Sequence, residues 1–209
     1  MKDLLRIALF VLALMRVSGS HAQVDTLRLS FKALGINDGL SQGMVTSIAQ
    51  DRYGFLWFAT RDGLNRYDGY TFTTFRHDPQ DTTTITENAV NWLHVDREQR
   101  LWVVTNGGVD LFDPATERFI HVPIDDAQGG LREIRQATVD ANGDLWVCGV
   151  GRYVKVTFAH AVELGKPLPP RVLTWFEGSA SFTLLQDGRL CGARNAQLLI
   201  ITPQHGEAD

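Results

Sequence analysis

The sequence predicts an all-β fold, a β-propeller of about four four-stranded blades behind an N-terminal signal peptide, and three observations predict it. The first is a recurring pattern: Asp51-Arg52-Tyr53-Gly54-Phe55-Leu56-Trp57-Phe58, Asp96-Arg97-Glu98-Gln99-Arg100-Leu101-Trp102-Val103 and Asp140-Ala141-Asn142-Gly143-Asp144-Leu145-Trp146-Val147. A shorter fourth copy, Asp187-Gly188-Arg189-Leu190-Cys191-Gly192, has Cys191 in the Trp position. The second is the spacing. Leu56, Leu101, Leu145 and Leu190 lie 45, 44 and 45 residues apart, the period of a propeller blade. The third is the content of each period, which is short apolar or threonine-rich runs separated by the hairpin dipeptides Asp62-Gly63, Asp68-Gly69 and Gly107-Gly108.

Residues 1–22 are read as a secretory signal. Lys2 and Arg6 supply a basic start, Ile7 to Met15 is apolar, and Ser20-His21-Ala22 precedes the expected cleavage site. The apolar run spans about 13 Å as a helix, short of the roughly 30 Å hydrocarbon core. An uncleaved anchor is the alternative. Removing Lys2, Arg6, Arg16 and Asp3 takes the chain from 20 basic and 24 acidic residues to 17 and 23. An acidic chain without basic clusters argues against nucleic acid as a partner. No later stretch is long and apolar enough to span a bilayer.

The remainder, 23–209, divides into repeats at about 35–79, 80–123, 124–176 and 177–209, preceded by an orphan strand at 26–34 whose Phe31 aligns with Phe75. Strands are expected at 44–50, 55–59, 64–67 and 71–76 in the first repeat, and at 89–95, 101–105, 109–112 and 118–122 in the second. The third has 134–139, 145–148, 153–158 and 171–175, with a longer proline-bearing connection before the last. The fourth has 182–185, 189–191 and 197–201. The unbroken apolar runs at the second strand of each repeat mark it as buried on both faces. A fourth blade of three strands and an orphan strand at the start fit a closed ring of four. The taper of propeller blades favours instead the start of a larger ring, because a partial ring leaves blade faces uncovered.

The run Gly39-Leu40-Ser41-Gln42-Gly43-Met44-Val45, followed by Ile48, Asp51, Gly54, Leu56-Trp57-Phe58, Thr60 and Asp62-Gly63-Leu64-Asn65-Arg66-Tyr67-Asp68-Gly69, resembles the two-component regulator propeller repeat. The second repeat echoes it at Val90, Asp96, Leu101-Trp102-Val103, Thr105 and Gly107-Gly108-Val109. This resemblance implies the periplasmic sensor region of a bacterial two-component receptor, in which such repeats typically form seven-bladed rings. Histidine kinase activity in that family belongs to domains outside this chain, so the chain itself is expected to be no enzyme and to carry no cofactor. A small-molecule or glycan ligand is the expected partner, and a homodimer is possible through uncovered blade faces.

Trp57, Trp102 and Trp146, with Leu56, Leu101, Leu145 and Leu190, are read as structural residues between blades. Asp51, Asp96 and Asp140 are read as turn residues that accept local amide bonds. Asp140-Ala141-Asn142-Gly143-Asp144 opens like a calcium loop. Leu145 then stands at the glycine position and Gly151 at the closing acid, so no metal is assigned. His94 and His160 show no ligand spacing with Cys148, and Cys148 and Cys191 are read as small buried thiols rather than a disulfide. Ligand recognition is expected on the ring face where the connections between second and third strands emerge together with those between blades. Arg61, Asp62, Asn65, Asn106, Asp110 and Arg152 are the candidate ligand-face residues. A secreted propeller enzyme, of lyase or quinone-dependent dehydrogenase type, and a protein-binding scaffold are the competing readings.

Overall fold

The structure, a computed structural model, describes residues 30–124, 130–131, 133–177, 181–185, 189–194 and 197–201. It resolves into two compact units, 1–33 and 34–209. The expected signal at 1–22 lies outside the described residues. Of the orphan strand expected over 26–34, residues 30–34 are described, and they are not in a strand.

The second unit is a series of antiparallel sheets. Blade 1 is β1 (Val45–Gln50), β2 (Leu56–Thr60), β3 (Gly63–Tyr67) and β4 (Phe72–Phe75). Blade 2 is β5 (Val90–Val95), β6 (Leu101–Thr105), β7 (Val109–Asp113) and β8 (Arg118–Val122). Blade 3 is β9 (Gln136–Val139), β10 (Leu145–Cys148), β11 (Arg152–Phe158) and β12 (Arg171–Glu177). Blade 4 shows β13 (Ser181–Leu184), β14 (Leu190–Arg194) and β15 (Gln197–Ile201). Within each sheet the strands pair in sequence order, as a meander. The first strands of successive blades, β1, β5, β9 and β13, lie next to one another. This is the propeller arrangement that the period predicts.

The hairpins explain why the strands stop where they do. Gly54 and Gly143 take left-handed backbone at φ 88° and 84° in the turn between a blade's first two strands. Gly63 has φ 109° and sits where a Cβ would come within 2.6 Å of the Phe75 carbonyl oxygen. A side chain is therefore excluded there by both conformation and space.

Packing between blades follows from strand alternation. One face of blade 1 presents Trp57, Ala59, Leu64 and Phe75 to Leu93, Val103, Phe112 and Phe119 of blade 2. Trp57 is fully buried and meets Phe112 edge-on, with ring centroids 4.8 Å apart. Trp102, Val104, Val109 and Leu111 pack in the same way on Ile134, Ala137, Val139 and Val147 of blade 3. Burying one such Trp is worth at most roughly 4–6 kcal/mol at about 25 cal/mol/Å².

Polar contacts pin the same seams. β1 and β5 each shift register at their start, between Val45 and Ser47 and between Val90 and Trp92. The residues at those bulges, Thr46 and Asn91, reach the next blade: Thr46 Oγ1 donates to the Val90 carbonyl at 2.8 Å and Asn91 Nδ2 to the Ile134 carbonyl at 2.6 Å. Bulges re-aim side chains out of the normal alternation.

Candidate functional site

Each Asp of the repeated pattern is bonded to the Trp six residues on. Trp57 Nε1 donates to Asp51 Oδ2, Trp102 Nε1 to Asp96 Oδ2 and Trp146 Nε1 to Asp140 Oδ2, all at 2.8 Å. The other carboxylate oxygen closes the hairpin, accepting from the amides of Phe55, Arg100 and Asp144 at 3.1, 2.9 and 3.1 Å. The Asp series is thus a turn cap, as its sequence position suggests, and also the polar partner of the buried indole. Asp140, which opens the calcium-like pentapeptide, spends its oxygens on Asn142, Asp144 and Trp146.

The six candidate ligand-face residues separate into two groups. Arg61 is exposed in the β2–β3 turn, and its amide donates to Gln42 Oε1 at 3.2 Å. Beside it, Asp62 is half-exposed and pairs with Arg76 Nη2 at 2.9 Å. Asn106, in the equivalent β6–β7 turn, accepts from Asn91 Nδ2 at 2.7 Å and is half-buried. Arg152 opens β11 and stacks over Trp175, 4.4 Å from the ring centroid. Asn65 and Asp110 are placed elsewhere. Both are fully buried, because in the middle of a third strand they point at the chain entering their own blade rather than at solvent.

Asn65 Oδ1 accepts from the Ser41 amide and from Thr74 Oγ1, each at 3.0 Å. Asp110 Oδ2 accepts from the Thr86 amide at 2.8 Å, and Asp110 Oδ1 bonds Thr86 Oγ1 and His121 Nδ1, the latter at 2.7 Å. Ser41, Thr86, Thr74 and His121 were not singled out as site residues by sequence reasoning. The signal was present in the matched offset: Ser41 and Thr86 are 45 apart, as are Asn65 and Asp110.

A recess of about 340 Å³ lies beside the Asp62–Arg76 pair, between β4 and β8, lined by Thr74, Arg76, Thr84, Arg118 and their neighbours. Its walls are polar and carry both signs of charge, which suits hydrogen bonding to a small polar ligand. Catalytic geometry is different in kind. His94 Nε2 accepts the Val139 amide at 3.3 Å, and burial pushes its ring below the ordinary histidine range. His160 is exposed on the β11–β12 connection. Cys148 is buried and unpaired, and burial pushes its thiol up to about 12. A thiol in that state is inert at neutral pH. Cys191 is half-buried rather than buried as expected, and it too is free of a disulfide. Among the described residues no group of three His, Cys, Asp or Glu side chains is placed to hold a metal, and no helix is long and apolar enough to cross a membrane.

Residues 39–62 match the family model described as the two component regulator propeller. A stretch of 55 residues is 53% identical to Histidine kinase P4 of Formosa agariphila, covering 26% of this chain and 4% of that protein. The extracellular domain of the hybrid two component system BT3049 from B. thetaiotaomicron superimposes with a TM-score of 0.61 at 25% identity, over 82% of this chain and 26% of that one. Virginiamycin B lyase from Staphylococcus aureus superimposes with a TM-score of 0.55 at 14% identity, over 76% of this chain and 52% of that one, a likeness of fold alone. The chain therefore spans a small part of the sensor proteins it matches. Residues 39–62 carry the two component regulator propeller repeat, and the blades around them share the fold of the BT3049 extracellular domain.

Proposed function

We propose that this chain is a ligand-sensing propeller module of a two-component signal-transduction receptor, exported to the periplasm, and that it binds rather than transforms its ligand. The observation that carries the reading is the family repeat at 39–62, supported by the BT3049 extracellular domain at 25% identity over 82% of the chain. The ligand is a small polar molecule or a glycan, met by Arg61, Asp62 and Asn106 at the turns and by the recess beside Arg76. The blades supply rigidity, and the turns supply recognition.

A thermal-shift screen against glycans and small nutrients tests this. One chemical class is expected to raise the melting midpoint in a saturable way, by about 2–4 kcal/mol of linkage when the ligand is present at about 100 to 1,000 times its Kd. Asp62→Ala or Arg61→Ala is expected to remove the shift while leaving the unliganded melt in place. Turnover of any such ligand by the purified chain, abolished by changing His94 or His160, would replace this reading with an enzymatic one.

A further inference from the structure

Blades 1 and 2 hold the same device in two chemistries. In each, the segment entering the blade's first strand is tied to the middle of its third strand, at Asn65 in blade 1 and Asp110 in blade 2. Ser41 and Thr86 present both amide and hydroxyl to that residue. A cross-strand neighbour completes each cluster, Thr74 opposite Asn65 and His121 opposite Asp110. Blade 1 therefore has a neutral cluster. Blade 2 has an ionisable one.

We propose that Asp110, His121 and Thr86 form a pH-sensitive latch that holds the connection between β4 and β5 against β8 while His121 is protonated, and loosens it when the ring becomes neutral. Asp110 is fully buried and its side chain has no access to water, whereas the His121 side chain is 37% exposed. A buried carboxylate needs a counter-charge, and the imidazolium supplies it at 2.7 Å. The Thr82 backbone also favours the protonated ring. The Phe119 amide donates to the Thr83 carbonyl at 2.8 Å, so residues 82–86 lie along β8 with His121 beneath them.

The charged surroundings are simple. From β7 the ring meets Asp110, and from the connection it meets Thr82 and Thr86, which are neutral. The remaining ionisable groups of the connection are engaged elsewhere: Arg76 with Asp62, His77 with the Ile85 carbonyl, Asp78 with Gln80, Asp81 with Thr83, and Glu87 beside Gly107. On β8 itself, Arg118 acts on Asp81. The hydrogen bond to Asp110 raises His121 above the ordinary histidine range, and partial burial opposes it. A raised folded-state value means the latch is complete at and below the unfolded histidine value and is lost as pH rises through the folded one. Deprotonation leaves a ring nitrogen without its proton and the carboxylate without its counter-ion.

Amide hydrogen exchange on the full chain tests the latch, with the Ser41 amide of blade 1 as an internal reference. After correction for intrinsic rates, the protection of the Thr86 and Phe119 amides relative to Ser41 is expected to fall several-fold as pH rises from about 6 to about 9, through the raised titration of His121. In His121→Gln, or in the double variant Asp110→Asn/His121→Thr that copies blade 1, the ratio is expected to stay constant. The inference does not rest on ligand binding. A wild-type ratio that is flat with pH, or a fall that persists in either variant, would overturn it.

Discussion

At the scale of single residues, the turn between a blade's first and second strands concentrates the repeat's chemistry. The three copies differ in informative ways. Asp51 and Asp140 serve an indole and local amides, but Asp96 also takes Arg100 Nε at 2.7 Å, in a pair whose side chains are 8% and 1% exposed. Arg100 Nη1 continues to the Val162 carbonyl of blade 3 at 2.5 Å. Asp96→Ala therefore leaves a buried guanidinium without its carboxylate and an indole N–H without its acceptor, and is expected to cost about 3–5 kcal/mol. Asp51→Ala, which strands no buried cation, is expected to cost about 1–3 kcal/mol. Urea denaturation of the two variants checks the order, and equal losses would show that the Arg100 pair contributes nothing. The same turn carries a misfit. Gln99 has φ 62° where Gly54 and Gly143 stand in the sister turns. A left-handed non-glycine costs about 1–2 kcal/mol, part of which is offset by the greater unfolded-state freedom of glycine. Gln99→Gly is accordingly expected to stabilise the chain by about 0.5–1 kcal/mol in the same denaturation experiment.

At the scale of strands and blades, the elements were legible because their causes are local. Alternation, apolar runs and glycine turns placed fourteen of the fifteen described strands within two residues of their observed bounds, and β14 (Leu190–Arg194) runs three residues past its expected end at 191. The bulges at Thr46 and Asn91 were not legible, because a bulge is defined by the partner strand and the hydrophobic pattern barely registers one extra residue. The candidate site was half legible for a related reason. Turn position exposes Arg61 and Asp62 whatever the blade packs against. Asn65 is the third residue of its strand and Asp110 the second, positions where the direction of the side chain depends on which segment crosses the blade end. The pairing of Asp with Trp six residues later was hidden for the opposite reason. Each residue had a sufficient local explanation by itself, so nothing in the pattern demanded that the two meet.

At the scale of the whole molecule, equivalence between blades turns exposure into an argument about association. Leu93 and Val103 on blade 2 are 5% and 0% exposed because the Trp57 face of blade 1 covers them. Their counterparts one repeat earlier are Ile48 and Phe58. Ile48 is 61% exposed, and Met44 on the same strand approach is 60% exposed, so blade 1 presents a surface shaped for a blade face that the described residues do not supply. Apolar patches of this kind mark association surfaces, and a second copy of the chain offers the same surface to pair with. The purified chain is expected to sediment as a concentration-dependent dimer. Ile48→Lys, which sets a charge in the middle of that surface, is expected to weaken the dimer by about tenfold or more, since about 1.4 kcal/mol of lost burial already corresponds to tenfold. Leu93→Lys at the equivalent buried position should instead unfold the seam between blades 1 and 2. Sedimentation velocity across a concentration series distinguishes the outcomes. A wild-type chain that remains monomeric throughout, or an Ile48→Lys variant that dimerises as tightly as the parent, would show that this face is not where copies of the chain meet.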